Sequence, residues 1–152
     1  MLKPLFGADD GEWVTKIGRF MLNMGAIEAT TILLVAQIER KNRSRTENDD
    51  LKSRIGFIRS RFPNEELQRH KWAMNIFGVA LKISAFRDAI AHSPLVLGGS
   101  SKDDLRAILG ILDLKAGELI SLEEINGRVD ESASVAQGLL EMQADFPRPQ
   151  SS

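Results

Sequence analysis

Residues 72–94 read WAMNIFGVALKISAFRDAIAHSP, and this stretch decides the fold class. Its apolar residues Trp72, Ile76, Val79, Ile83, Phe86 and Ile90 recur at alternating steps of four and three, the period of one face of an α-helix. The run stops at His92-Ser93-Pro94, where proline cannot continue a helix, and Asn64 with Glu65 and Glu66 opens it. Upstream, Leu51, Ile55, Ile58 and Phe62 mark a shorter helix closed by Pro63. Further upstream, Trp13, Ile17, Phe20, Met24, Ile27, Thr31, Leu34 and Ile38 mark a long one, with Asp9 or Asp10 as its cap and the polar run Glu39 to Arg45 at its end. Downstream, Ser121 to Glu124 is a capping-box sequence that starts a last helix through Ile125, Val129, Ala136 and Leu140.

The segment between the last two helices is less determined. Gly98-Gly99-Ser100-Ser101 signals a turn, and Leu105 to Leu114 fits either a helix or a strand of a hairpin whose partner lies near Leu119 to Leu122. The expectation is an all-α protein, an antiparallel helical bundle of four to five helices with room for a short β-hairpin insertion around residues 95–120. Residues 1–146 form one domain, and Pro147 and Pro149 end any helix, leaving 147–152 as a disordered tail.

Composition narrows the chemistry. The 152 residues are 43% apolar with no cysteine, which removes disulfides, thiol nucleophiles and iron–sulfur clusters and suits a reducing compartment. Two histidines, His70 and His92, are too few for a dedicated multi-histidine metal site. MLKPLFGADD has no long apolar run, so no signal peptide is expected there, and the most apolar stretch, Ala29 to Ile38, is half the roughly 20 residues a membrane span needs, so a cytoplasmic protein without a membrane partner is expected.

The net charge of −1 conceals an uneven distribution. Residues 40–71 hold 10 basic and 5 acidic side chains, a local +5, whereas residues 98–152 hold 5 and 10, a local −5. The basic cluster Arg40, Lys41, Arg43, Arg45, Lys52, Arg54, Arg59 and Arg61 can neutralise phosphates, although a solvated helix surface also carries such runs. The cluster lacks exposed-looking aromatic residues, so no base-stacking platform is indicated.

The stretch Phe86-Arg87-Asp88-Ala89-Ile90-Ala91-His92-Ser93-Pro94 places an Arg five positions before a His at the end of a strongly apolar helix. In this motif, and in the surrounding order of a long first helix with a mid-helix acid (Glu28 in GAIEATTILL), a charged connection, a motif helix and a closing helix, the sequence resembles the HEPN superfamily of all-helical domains. Asp88 stands where Asn is commonest in that family. The resemblance implies a metal-independent ribonuclease with its active site at a homodimer interface, a toxin or defence setting and a neutralising partner protein.

Side-chain chemistry fits that implication. Residues 87 and 92 are about 140° apart around a helix, so one helix does not easily aim both at one phosphate, whereas two copies about a two-fold axis can. Arg87 offers a permanently charged fork for phosphate oxygens and transition-state charge. His92 is suited to take a proton from a ribose 2′-hydroxyl or give one to the departing 5′-oxygen. Asp88, one turn before His92, can orient the imidazole, and Ser93 can add a hydroxyl hydrogen bond. The products would be a 2′,3′-cyclic phosphate and a 5′-hydroxyl, with no metal or cofactor. The plainer alternatives are an ion pair from Arg87 to Glu28 or an acid of the last helix, and a His92 that does no more than meet helix C-terminal carbonyls. A non-catalytic HEPN-like module that binds RNA, a nucleotide or a protein is the corresponding alternative function. His70, between Arg69 and Lys71, reads as a surface residue.

Overall fold

The computed structural model describes residues 11–39, 49–92, 95–99, 107–113 and 118–147. Among these residues four helices, α1 (Gly11–Glu39), α2 (Leu51–Arg61), α3 (Leu67–His92) and α4 (Leu122–Glu141), form the expected all-α bundle, and a 3-10 turn (Met142–Asp145) follows α4. Asp50 caps α2 by accepting the Ser53 amide at 2.7 Å, which holds its carboxyl below the usual carboxylate range. Ser121 caps α4 in the same way, its hydroxyl accepting the Glu124 amide at 3.1 Å. The capping acids proposed for α1 and most of the predicted tail lie outside the described residues.

The core runs through all four helices. Phe20, Met24, Ile27 and Leu34 of α1 meet Ile55 and Ile58 of α2, Phe77, Ala80 and Ile83 of α3, and Val135 and Leu139 of α4, each almost wholly removed from solvent. Helix α1 packs most extensively on α4 and α2 and only lightly on α3. The stripe of α2 is the buried one, as is that of α1 apart from the half-buried Ile17 and Ile38, whereas two others shift. In α3 the most buried residues are Ala73, Ile76, Phe77, Ala80 and Ile83, and the predicted Trp72, Val79, Phe86 and Ile90 flank them half-buried. In α4 the deep stripe is Ile125, Ser132, Val135, Gly138 and Leu139, and the predicted Leu140 is exposed.

Ser132 takes its buried place because its hydroxyl donates to the Val129 carbonyl (2.8 Å) and accepts from Asn23 Nδ2 of α1 (3.0 Å). Gly138 is buried because α3 lies against it. A Cβ there would sit 2.9 Å from Ile76 Cδ1. Gly138→Val is expected to destabilise the bundle by roughly 1–3 kcal/mol, the range for overpacking, read as a lower urea midpoint. An unchanged midpoint would mean that α3 and α4 are not closely packed at this point.

The described residues between 95 and 120 form strands, with a difference. Besides the expected hairpin of β2 (Ala107–Asp113) and β3 (Glu118–Ile120), a third strand, β1 (Leu95–Gly99), completes an antiparallel sheet ordered β1-β2-β3. Gly98 and Gly99, read as part of a turn, lie opposite Ile108 and Ala107 within the ladder. As an edge strand, β1 accommodates glycines that would weaken a central one. Ile111 pairs with both Leu95 and Ile120, and β2 runs beside α3.

Taken whole, α1 is also longer and more apolar than its ten-residue stretch suggests. Its most apolar 18 residues average a hydropathy of 1.4, enough by length and composition for a membrane span, with 33% of that window buried in the bundle. Its polar side chains nonetheless bond to the rest of the chain. Besides Asn23, Gln37 Nε2 donates to the carbonyls of Gln143 (3.1 Å) and Phe146 (2.8 Å).

Candidate functional site

The motif residue Arg87 continues the core stripe of α3, one heptad beyond Ala80 and one turn beyond Ile83. An arginine here can keep its stem among apolar neighbours while its head reaches the rim. The guanidinium is 26% exposed and lies between two carboxylates, donating to Glu28 Oε1 of α1 and to Asp88 Oδ1 at 3.2 Å. Burial disfavours its charge, but the hydrogen bonds it donates to the Glu28 and Asp88 carboxylates outweigh that and raise its pKa above the ordinary guanidinium value. Of the acids offered as partners of Arg87, Glu28 rather than one on the last helix makes the ion pair.

Beside this pair lies an open groove of about 420 Å³ between the start of α2 and the second half of α3. Asp50, Leu51 and Lys52 form one wall, and Leu81, Ser84, Ala85, Arg87 and Asp88 the other. Leu81, Ser84, Ala85 and Asp88 fall on a single stripe of α3. Position 92, four residues past Asp88 and the last of the helix, extends that stripe. Backbone periodicity thus aligns the motif histidine's position with the groove and places Arg87 at its core-side edge. Ser93 lies outside the described residues.

The basic cluster divides. Lys52, Arg59 and Arg61 are exposed on α2, while Arg40, Lys41, Arg43 and Arg45 lie outside the described residues. Arg54 is corrected: it is 5% exposed and is no part of a basic surface. Its Nε donates to Thr31 Oγ1 at 3.0 Å and its Nη1 to the Asp49 carbonyl, and Thr31 in turn donates to the Glu28 carbonyl at 2.8 Å. This chain of bonds ties α2 to α1 at the level of the residue that holds Arg87. Arg54→Ala is therefore expected to cost about 2 kcal/mol of stability, the scale of hydrogen bonds from a buried charged donor. Replacing Lys52, Arg59 and Arg61 by Ala should leave stability nearly unchanged. It should flatten the slope of log binding constant against log salt for single-stranded RNA by about 2, at roughly 0.7 per phosphate neutralised. Equal slopes for the wild type and the triple variant would remove these residues from the interface.

Sequence reasoning passed over Ser84 and Asp50 in the groove, and Arg128 of α4. Arg128 stacks 5.1 Å from the Phe86 ring and binds Glu131 at 3.0 Å, adding a cation next to the motif helix. The cue for Ser84 was available in its position, one turn before Asp88. His70 is half-buried, with Nδ1 3.3 Å from the Pro63 carbonyl and its ring beside Phe62, remote in sequence from the motif. Arg69, its neighbour, forms a bidentate pair with Asp145 (2.7 and 3.0 Å) that fastens the 3-10 turn to α3.

No known family model, curated protein or solved structure matches this chain.

Proposed function

We propose that the protein is a metal-independent endoribonuclease of the HEPN type that works as a homodimer, with Arg87 and His92 of each copy contributing to a shared cleft. The observation that carries this reading is the placement of Arg87 and Asp88 on the rim of a groove whose other wall presents Lys52, with position 92 on the groove's own stripe. A phosphate entering the groove competes with two carboxylates for the Arg87 fork. Asp88, at 63% exposure, is the easier to displace, and Glu28, at 37%, remains to hold the guanidinium in place. Asp88 is then free to accept from the imidazole one turn away, while His92 moves the proton between the 2′-hydroxyl and the leaving 5′-oxygen. The exposed cations of α2 guide the strand by phosphate neutralisation, without reading its bases. The setting is cytoplasmic, and control by a neutralising protein suits a toxin or defence nuclease.

The test is incubation of the purified protein with labelled single-stranded RNA in EDTA. Fragments ending in 2′,3′-cyclic phosphate and 5′-hydroxyl are expected. Cleavage that requires an added divalent ion, or that leaves 3′-hydroxyl ends, would overturn the reading. A second reading is a non-catalytic HEPN-like module for RNA, a nucleotide or a protein, and the Glu28–Arg87 pair favours it, because an ion pair between two helices is an ordinary structural device. It is supported if RNA binds with steep salt dependence and is never cut.

A further inference from the structure

The outward face of α1 has no partner among the described residues. Every exposed residue of this helix from position 20 to 39 is apolar, namely Met21, Leu22, Gly25, Ala26, Ala29 and Leu33, with Leu22 at 76% and Leu33 at 59% exposure. Two glycines, Gly18 and Gly25, also lie on this face. Glycine weakens a helix relative to alanine, and nothing among the described residues requires it here, since a Cβ at either position would meet no described atom within 4 Å. Buried Gly138 is explained by Ile76. Gly18 and Gly25 have no such neighbour and fit a close approach from outside.

We infer that this face is the homodimer interface, formed by two α1 helices packed antiparallel about a two-fold axis between Gly25 and Ala26. The pattern is self-complementary in that arrangement and fits a second copy of this chain. Leu22 stands against the partner's Ala29 and Leu33 against the partner's Gly18, so each large side chain meets a small one. The axis falls at the middle of the helix and of the exposed apolar stretch from Gly18 to Leu33, which is about 24 Å long and is bordered toward the N-terminus by the exposed Glu12, Thr15 and Arg19. A lipid bilayer is the less fitting occupant, because burying α1 in hydrocarbon would draw in the exposed Lys52, Arg59 and Arg61 of the helix packed against it.

This interface also deepens the ribonuclease reading, on which only this consequence rests. Glu28 borders the apolar face, and like edges meet in an antiparallel two-fold pair. The two Glu28–Arg87 pairs therefore lie on the same side of the dimer, offset along the helix by five residues, about 7.5 Å.

The test is the molar mass of the full chain in solution, by light scattering and sedimentation at micromolar concentration. The wild type is expected at twice 16.9 kDa. Gly25→Leu, whose Cβ would meet no described atom within 4 Å, and Leu22→Glu should each retain the helical circular dichroism and weaken dimerisation about 30-fold or more, as interface hot spots do. Leu140→Glu, which changes an exposed leucine on α4, should leave the mass unchanged. A monomeric wild type, a dimer that survives both α1 substitutions, or sedimentation of the protein with phosphatidylcholine vesicles would overturn the proposal. Mass reports on the interface alone. A dimer that fails to cut RNA would refute the ribonuclease reading and leave the interface standing.

Discussion

Arg87→Ala and His92→Ala are each expected to lower the rate of RNA cleavage by about three orders of magnitude while the helical content and thermal midpoint stay near wild type. The size follows from the roles assigned. Removing a charge-stabilising donor costs roughly 100- to 1,000-fold and removing a general acid or base roughly 100- to 10,000-fold. Folding should survive because the Glu28–Arg87 pair is partly exposed, and water can solvate the Glu28 carboxylate once its partner is gone. At that exposure the pair is worth no more than about 1 kcal/mol to stability. Arg87→Lys should recover only part of the activity, since an ammonium keeps the charge but lacks the planar fork. Glu28→Gln separates positioning from chemistry. It keeps a hydrogen-bond acceptor beside Arg87 while removing the competing charge, so RNA should bind at least as tightly while turnover falls modestly. Wild-type turnover in both Arg87→Ala and His92→Ala would exclude the motif as the active site.

Phe20→Ala is the second large effect, and it falls on stability. Phe20 is completely buried and meets Phe86 edge-on, with ring centroids 5.5 Å apart and planes at 89°. Truncating a buried phenylalanine costs about 3–5 kcal/mol, which for a chain of this size lowers the thermal midpoint by about 10 °C. The consequence reaches the site because Phe86 precedes Arg87 and α1 touches α3 only lightly elsewhere. Scanning calorimetry measures the midpoint directly. A loss under about 1 kcal/mol would mean that the α1–α3 contact does not anchor the motif helix.

The fold was readable wherever apolar spacing and local chemistry agreed. Helix α1 shows one buried stripe, α2 ends at Phe62 before Pro63, and Ser121 caps α4 as its sequence suggests. Helix α3 was harder because it is apolar around most of its circumference. Spacing alone then favours the larger side chains at 72, 79 and 86 over the small Ala73 and Ala80 that allow closest packing. In α4, a serine and a glycine occupy buried positions for reasons that lie on other helices, Asn23 and Ile76.

The site divides along the same line. Arg87, Asp88 and His92 were visible as a local motif. The partner of Arg87 was not decided, since Glu28 is 59 residues away and one of several acids within reach of a bundle. Arg54 was misplaced because its acceptors are a hydroxyl and a backbone carbonyl, and neither leaves a charge pattern in the sequence. The β1 strand was missed because Gly-Gly is a stronger local signal for a turn than for an edge strand.

The most direct test of a cleft shared by two copies is the specific activity on labelled RNA in EDTA across a dilution series that spans dimer dissociation, with molar mass followed in parallel. The expected result is cleavage whose rate per chain falls in proportion to the dimer fraction. Absence of cleavage at every concentration, or a rate per chain that is the same for monomer and dimer, would contradict it.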